Sequence, residues 1–330
     1  MSVYPFDKEQ LRNLRGRTIL ITGAASGIGR AAAQIAHGHG ANLVLGDLDV
    51  DEGNKLVNEL QGYHRRSTML CTKSSTYLTP LPNSPVLFRK TDISKWDDVL
   101  SLFEAGVKEF GIIHSVLANA GINKEDLLAE DLDANRRLLP PNLGSIDVNL
   151  VGTAYTVKSA VHFFSKWPET KCQIVLTASA ASYLDTPPLY LYCAAKMGVL
   201  GLMRGLRSQL VKQNITINIV APWMTSKDFQ SWLVEETQVK CSSNFHSILV
   251  TNMVPPSVVT LWGDLPANQP WGVAHAILLP LLQPEINGKA FFVAGHRIIE
   301  LEDKLIETQP LWMGEQLSSD IAEGQRRLTT

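Results

Sequence analysis

A chain of 330 residues has room for one large α/β domain or two small ones. With 45% hydrophobic residues it can bury a full core, which excludes wholesale disorder. Its 30 basic and 32 acidic side chains leave a formal charge of −2, so no surplus of positive charge is available for a nucleic-acid partner.

The four cysteines, Cys71, Cys172, Cys193 and Cys241, form no C-x-x-C pair. No metal site or redox dithiol is therefore expected, and a reducing compartment fits. The opening MSVYPFDKEQ lacks the apolar stretch of a secretory leader. No run reaches the ~18 apolar residues of a spanning helix. The longest candidate, 273–282, is interrupted by His275 and Pro280. A cytoplasmic protein without a membrane span is the expectation.

Short, mostly β-branched runs are predicted as strands at 18–22, 42–46, 86–89, 115–118, 173–177, 216–220 and 290–293. Most lack in/out alternation, as strands buried on both faces do. Amphipathic helices are predicted between them, at 29–37, 51–60, 95–108 and 193–211 among others. Alternating strands and helices imply an α/β fold, a single domain with a doubly wound parallel sheet of about seven strands and helices on both faces. Residues 62–85, with three prolines, read as an insertion where a short loop is usual. The segment 223–269 is rich in large apolar residues, and 297–330 extends beyond the last predicted strand.

The first strand runs into TGAASGIGR at 22–30, and an alanine-rich helix follows. Gly23 can make the turn, Gly27 lets a pyrophosphate approach the backbone, and Gly29 lets helix and strand pack closely. The helix N-terminus, from Ser26 through Ile28, would supply N–H donors to the phosphates. This is the phosphate loop of a Rossmann-type dinucleotide fold. Asp47 closes the second strand 18 residues beyond Gly29, where an acid accepts hydrogen bonds from the adenosine ribose. Asp47 and Leu48 thus favour NAD, since the carboxylate repels a 2′-phosphate. Arg30 is the counter-signal that keeps NADP open. His37 and His39, in HGHG, read as the close of a helix with Gly40 after it, and Ser94 reads as an N-cap ahead of Asp97 and Asp98.

Further along, Tyr192 and Lys196 are four residues apart and share a helix face. The ammonium is expected to lower the phenol pKa from ~10. Ser179, thirteen residues before Tyr192, can steady a substrate oxygen while the proton moves.

These stretches together resemble the short-chain dehydrogenase/reductases over about 15–296. The matches are TGAASGIG, TDI at 91–93, ANAG at 118–121, VNLVGT at 148–153, Ser179, Y-x-x-x-K at 192–196 and AP at 221–222. The resemblance implies a catalytic tetrad of Asn149, Ser179, Tyr192 and Lys196, with Asn149 holding a water that links Lys196 to solvent. It also implies that Asp92 and Ile93 flank the adenine, that Asn119, Ala120 and Gly121 border the cofactor, and that Lys196 binds the nicotinamide ribose. A homodimer or homotetramer is implied as well. Where the family has Pro-Gly, this chain has Pro222-Trp223-Met224-Thr225, which makes Thr225, with Ser226 in reserve, the candidate for the carboxamide contact. That segment and Trp-Met-Gly at 312–314 are similar to a fungal branch near the 15-hydroxyprostaglandin dehydrogenases.

The function so implied is hydride transfer between NAD(P) and a secondary alcohol or ketone. Trp223 and Trp232, in a segment that covers the substrate in the family, point to a bulky apolar one: a terpenoid, steroid-like or polyketide compound of specialised metabolism. An isomerase or dehydratase with no net redox, or a dinucleotide-sensing protein, is the alternative.

Overall fold

The computed structural model describes residues 3–70, 84–225 and 265–329. Eight strands form one sheet: β1 (Thr18–Thr22), β2 (Asn42–Asp47), β3 (Val86–Lys90), β4 (Ser115–Ala118), β5 (Cys172–Thr177), β6 (Ile215–Pro222), β7 (Ala290–Ala294) and β8 (Arg297–Glu300). Their spatial order is β3-β2-β1-β4-β5-β6-β7-β8. The first seven are parallel, as expected, while β8 turns back antiparallel on β7. An eighth strand joins the expected seven or so and carries the sheet past residue 296 to Glu300. Two isoleucines between charged residues are too short a pattern to set it apart from a tail.

Helices cover both faces. The first face holds α1 (Gly27–Gly38), α2 (Val50–Leu70) and α7 (Pro270–Leu282), and the second holds α3 (Trp96–Phe110), α5 (Thr153–Phe164) and α6 (Tyr190–Leu210). The alanines of α1 are buried against this core together with Ala274, Ile277 and Leu278 of α7. On the other face Phe103 stacks on Phe163, ring centroids 5.5 Å apart. The strand order reverses at β1, which lies between β2 and β4. Loops after β1 and β4 diverge there and open the crevice in which such sheets bind ligands.

A single turn, α4 (Gly144–Ile146), leads into a π-helical stretch at Asp147–Gly152, and α5 continues from it. Single π turns often mark functional sites, and Asn149 lies within this one. Beyond β8, α8 (Glu302–Met313) and α9 (Glu315–Thr329) complete the described chain. Among the described residues no helix is long and apolar enough to cross a membrane.

Candidate active site

The loop after β1 is shaped by close backbone approaches. Gly23 has φ +65°, and a Cβ there would lie 2.6 Å from Ala120 Cα. A Cβ on Gly29 would sit 2.1 Å from the Gly23 carbonyl oxygen, so any side chain would push α1 off the loop. Ser26 caps α1 in extended conformation without a side-chain capping bond. The N–H groups of Gly27, Ile28 and Gly29 thus open the helix as an anion seat.

Asp47 is pinned between the loop and its own turn, accepting from Ala25 N (2.8 Å) and Asp49 N (3.0 Å). Leu48 beside it is exposed. Thr91 N donates to the Asp47 carbonyl at 2.8 Å, which brings the ends of β2 and β3 together. Asp92 follows, its Oδ1 accepting from the Ser94 N–H and hydroxyl. Ser94 is thereby spent on Asp92, and Lys95 takes the N-cap position of α3 in its place. Ile93 is buried at the π turn, its carbonyl 2.8 Å from where a Cβ on Gly152 would lie.

Arg30 does not face this cleft as a free cation. Its buried guanidinium pairs with Glu59 (2.6 Å) and Glu52 (3.3 Å) of α2 and donates to the Ala25 carbonyl (3.1 Å). Asn119 ties the strand ends together: Nδ2 donates to Thr22 and Gly23 carbonyls, and Oδ1 accepts from the Thr177 hydroxyl at 3.2 Å. The Asn119 and Ala120 N–H groups both reach Thr22 Oγ1.

The four candidate catalytic residues converge. Gly121 stands beside two of them, since a Cβ on it would lie 2.9 Å from Asn149 Oδ1 and 3.5 Å from Lys196 Nζ. Asn149 is fully buried, its amide exchanging hydrogen bonds with the Ile122 N–H (2.8 Å) and carbonyl (2.7 Å). Lys196 Nζ donates to the Thr177 carbonyl at 2.7 Å and lies 5.6 Å from the Tyr192 ring centroid. The Ser179 hydroxyl accepts from Ala181 N (3.2 Å) and stands near enough to the Tyr192 phenol to pull its pKa down.

Electrostatics here differ from the expectation. Burial pushes the Tyr192 phenol up to about 12, with the Ser179 hydroxyl pulling the other way, and pushes Lys196 down to about 8. Desolvation outweighs the attraction expected between phenolate and ammonium, because both groups are taken out of water. Tyr192 is thus held as a proton donor.

At the far end of the sheet, Pro222 ends β6 and Trp223 is half-buried, its N–H on the Val293 carbonyl at 2.9 Å. The Thr225 hydroxyl donates to the Trp223 carbonyl (3.0 Å), leaving its lone pairs as acceptors for a carboxamide. Trp232 and Ser226 lie outside the described residues. Thr225 bridges to Asn268, which is fully buried. Asn268 N donates to the Met224 carbonyl (2.7 Å), Nδ2 to Val293 (2.8 Å), and Oδ1 accepts from His296 N (3.0 Å).

Sequence reasoning missed Asn268 and two carboxylates. Glu125 accepts from the first turn of α6. Glu302, at the start of α8, is buried and holds Arg204 (2.7 and 2.9 Å) and Arg207 (3.0 Å) of α6 as well as the Tyr183 hydroxyl (3.2 Å). All three act across long sequence separations, so no local pattern announces them.

The chain is similar to known proteins. A short-chain dehydrogenase/reductase, prx4, of Penicillium roqueforti is 29% identical over 313 residues, covering 93% of this chain and 83% of that one. The 5′-hydroxyaverantin dehydrogenase of Dothistroma septosporum is 29% identical over 230 residues, 64% of this chain and 68% of its own. A solved 3-ketoacyl-(acyl-carrier-protein) reductase from Brucella melitensis, complexed with NADH, superposes with a TM-score of 0.63 at 22% identity, covering 86% of this chain and 98% of that one. The short chain dehydrogenase family model matches residues 17–238, and the chain belongs to that family of oxidoreductases.

Proposed function

We propose that this oxidoreductase moves a hydride between NAD(H) and a secondary alcohol or ketone of a bulky, mostly apolar compound. One observation carries the reading: a buried phenol under the influence of the Ser179 hydroxyl, with the Lys196 ammonium 5.6 Å from its ring. The residues fit a dinucleotide, because Gly29, where a Cβ would meet the Gly23 carbonyl at 2.1 Å, lets α1 start hard against the loop with its first N–H groups open to a pyrophosphate. A dinucleotide held by this loop would supply or accept the hydride through its nicotinamide.

In reduction, the neutral Tyr192 gives its proton to the substrate oxygen that Ser179 steadies. In oxidation the proton returns to Tyr192. Lys196, fixed by the Thr177 carbonyl, favours the phenolate in passing and would hold the nicotinamide ribose. Asn149 would keep a water in contact with Lys196. Asp47, unopposed by Arg30 whose charge is spent on Glu52 and Glu59, supports NAD over NADP. Fungal relatives and Trp223 support a role in specialised metabolism on a terpenoid, steroid-like or polyketide substrate. A cytoplasmic homodimer or homotetramer completes the reading.

A screen of cyclic apolar alcohols against short polyols, followed near ~340 nm with stoichiometric nucleotide, tests both substrate class and net redox. Tyr192→Phe should keep dinucleotide binding and lose turnover. Retained turnover in that variant, or faster turnover of the polyols, would reject the reading.

A further inference from the structure

Helix α6 carries Tyr192 in its first turn, yet its N-cap is Leu189, whose side chain makes no capping bond. The first N–H groups of a helix need partners from elsewhere. Glu125 supplies them from the loop after β4, 66 and 67 residues earlier: Oε2 accepts from Leu191 N (3.2 Å) and Oε1 from Tyr192 N (2.7 Å). The same stretch of chain holds the rest of the site in register. Ile122 grips the Asn149 amide by both its N–H and its carbonyl, and Lys124 grips the Ser145 hydroxyl the same way. Residues 122–125 thus refer the π turn and the start of α6 to one backbone.

We propose that Glu125 is a positioning residue for Tyr192, fixing the turn that carries the phenol and cancelling the positive end of α6 beside it. An uncapped helix N-terminus carries roughly half a positive charge, which would stabilise a phenolate in the same turn. The Glu125 carboxylate, bonded to two N–H groups of that turn, opposes the charge. Other polar groups around this turn are Lys196 and Cys193 on α6, Ser179 after β5, and Asp185 in the loop before α6, which faces Cys193 together with Glu125. The proposal rests on the oxidoreductase reading for its rate consequences and on hydrogen bonds alone for the contact itself.

Glu125→Gln tests it, because glutamine keeps the shape but offers one acceptor oxygen and turns an NH2 toward the second N–H. Hydrogen exchange at the Leu191 and Tyr192 amides should accelerate at least ~10-fold in Glu125→Gln and in Glu125→Ala. With trans-1-decalone and NADH as probes, kcat should fall about 10-fold while KM stays within about twofold. Reduction is lost as pH rises through the Tyr192 pKa. Removing a negative neighbour lowers that pKa, so the alkaline limb of kcat should move down by about half a pH unit. Wild-type exchange rates at both amides would overturn the proposal, as would a slower variant whose pH limb has not moved. A wild-type protein inactive on decalone counts against the earlier reading, and the exchange rates then decide the contact without turnover.

Discussion

Replacing Lys196 by methionine should make the protein more stable at neutral pH while removing its chemistry. Lys196 is 2% exposed, and burial brings its pKa from the ordinary 10.5 to about 8. At about 1.4 kcal/mol per pH unit, holding the ammonium in that site costs the folded state about 3 kcal/mol. Methionine fills a similar volume without charge but leaves the Thr177 carbonyl without its 2.7 Å donor, at a cost of about 1 kcal/mol. The net gain of about 2 kcal/mol raises Tm by about 4 °C. The gain depends on pH in a definite direction. Below pH 8 both folded and unfolded chains are protonated and the whole cost is present. Between about 8 and 10.5 the folded chain has released its proton while the unfolded one has not, so the wild type recovers stability and the gap closes. Thermal unfolding of both proteins from pH 7 to 10, without added nucleotide, measures this. A variant that melts at or below the wild type at pH 7, or an advantage that stays constant to pH 10, would refute the reasoning.

Two further outcomes follow from the geometry. Calorimetric titration should show NADH binding at least ~10-fold more tightly than NADPH, with the gap narrowed in Asp47→Ala by the loss of a charged acceptor worth about 1.5–3 kcal/mol; tighter NADPH binding by the native protein would overturn this. Glu302→Gln should lower Tm by about 4 °C, because the buried carboxylate then no longer balances Arg204 and Arg207, at a cost of about 2 kcal/mol. That figure is kept modest since both arginines are partly exposed, and an unchanged Tm would contradict it.

What was legible in the chain was what is encoded locally. The strands, the glycine loop and the Tyr192–Lys196 spacing depend on residues a few positions apart, and the structure places them where the periodicity and motif predict. Helix α1 even closes as HGHG suggests, with Gly40 at φ +86° after the His39 cap. Arg30 shows the opposite case. Its position beside the phosphate loop is local, but its ion pairs lie 22 and 29 residues away on α2, and they decide which way the guanidinium turns. The Tyr192 pKa failed for a related reason: spacing says that Lys196 is near, whereas burial, a property of the whole fold, sets the sign. Trp232 and most of the 62–85 and 223–269 segments lie outside the described residues.

The Thr225–Asn268 bridge ties two distant points of the chain at the sheet's edge. Because the departing and returning ends meet at one buried asparagine anchored to β7, the stretch between them is a cassette whose two ends are fixed at one place. Lengthening such a cassette twofold adds only about 0.6 kcal/mol of closure entropy. Changes of length or sequence between those two residues leave the register of β6 and β7 pinned from both ends. A designer can therefore graft a different cassette at the same two residues and leave the sheet's edge as it stands.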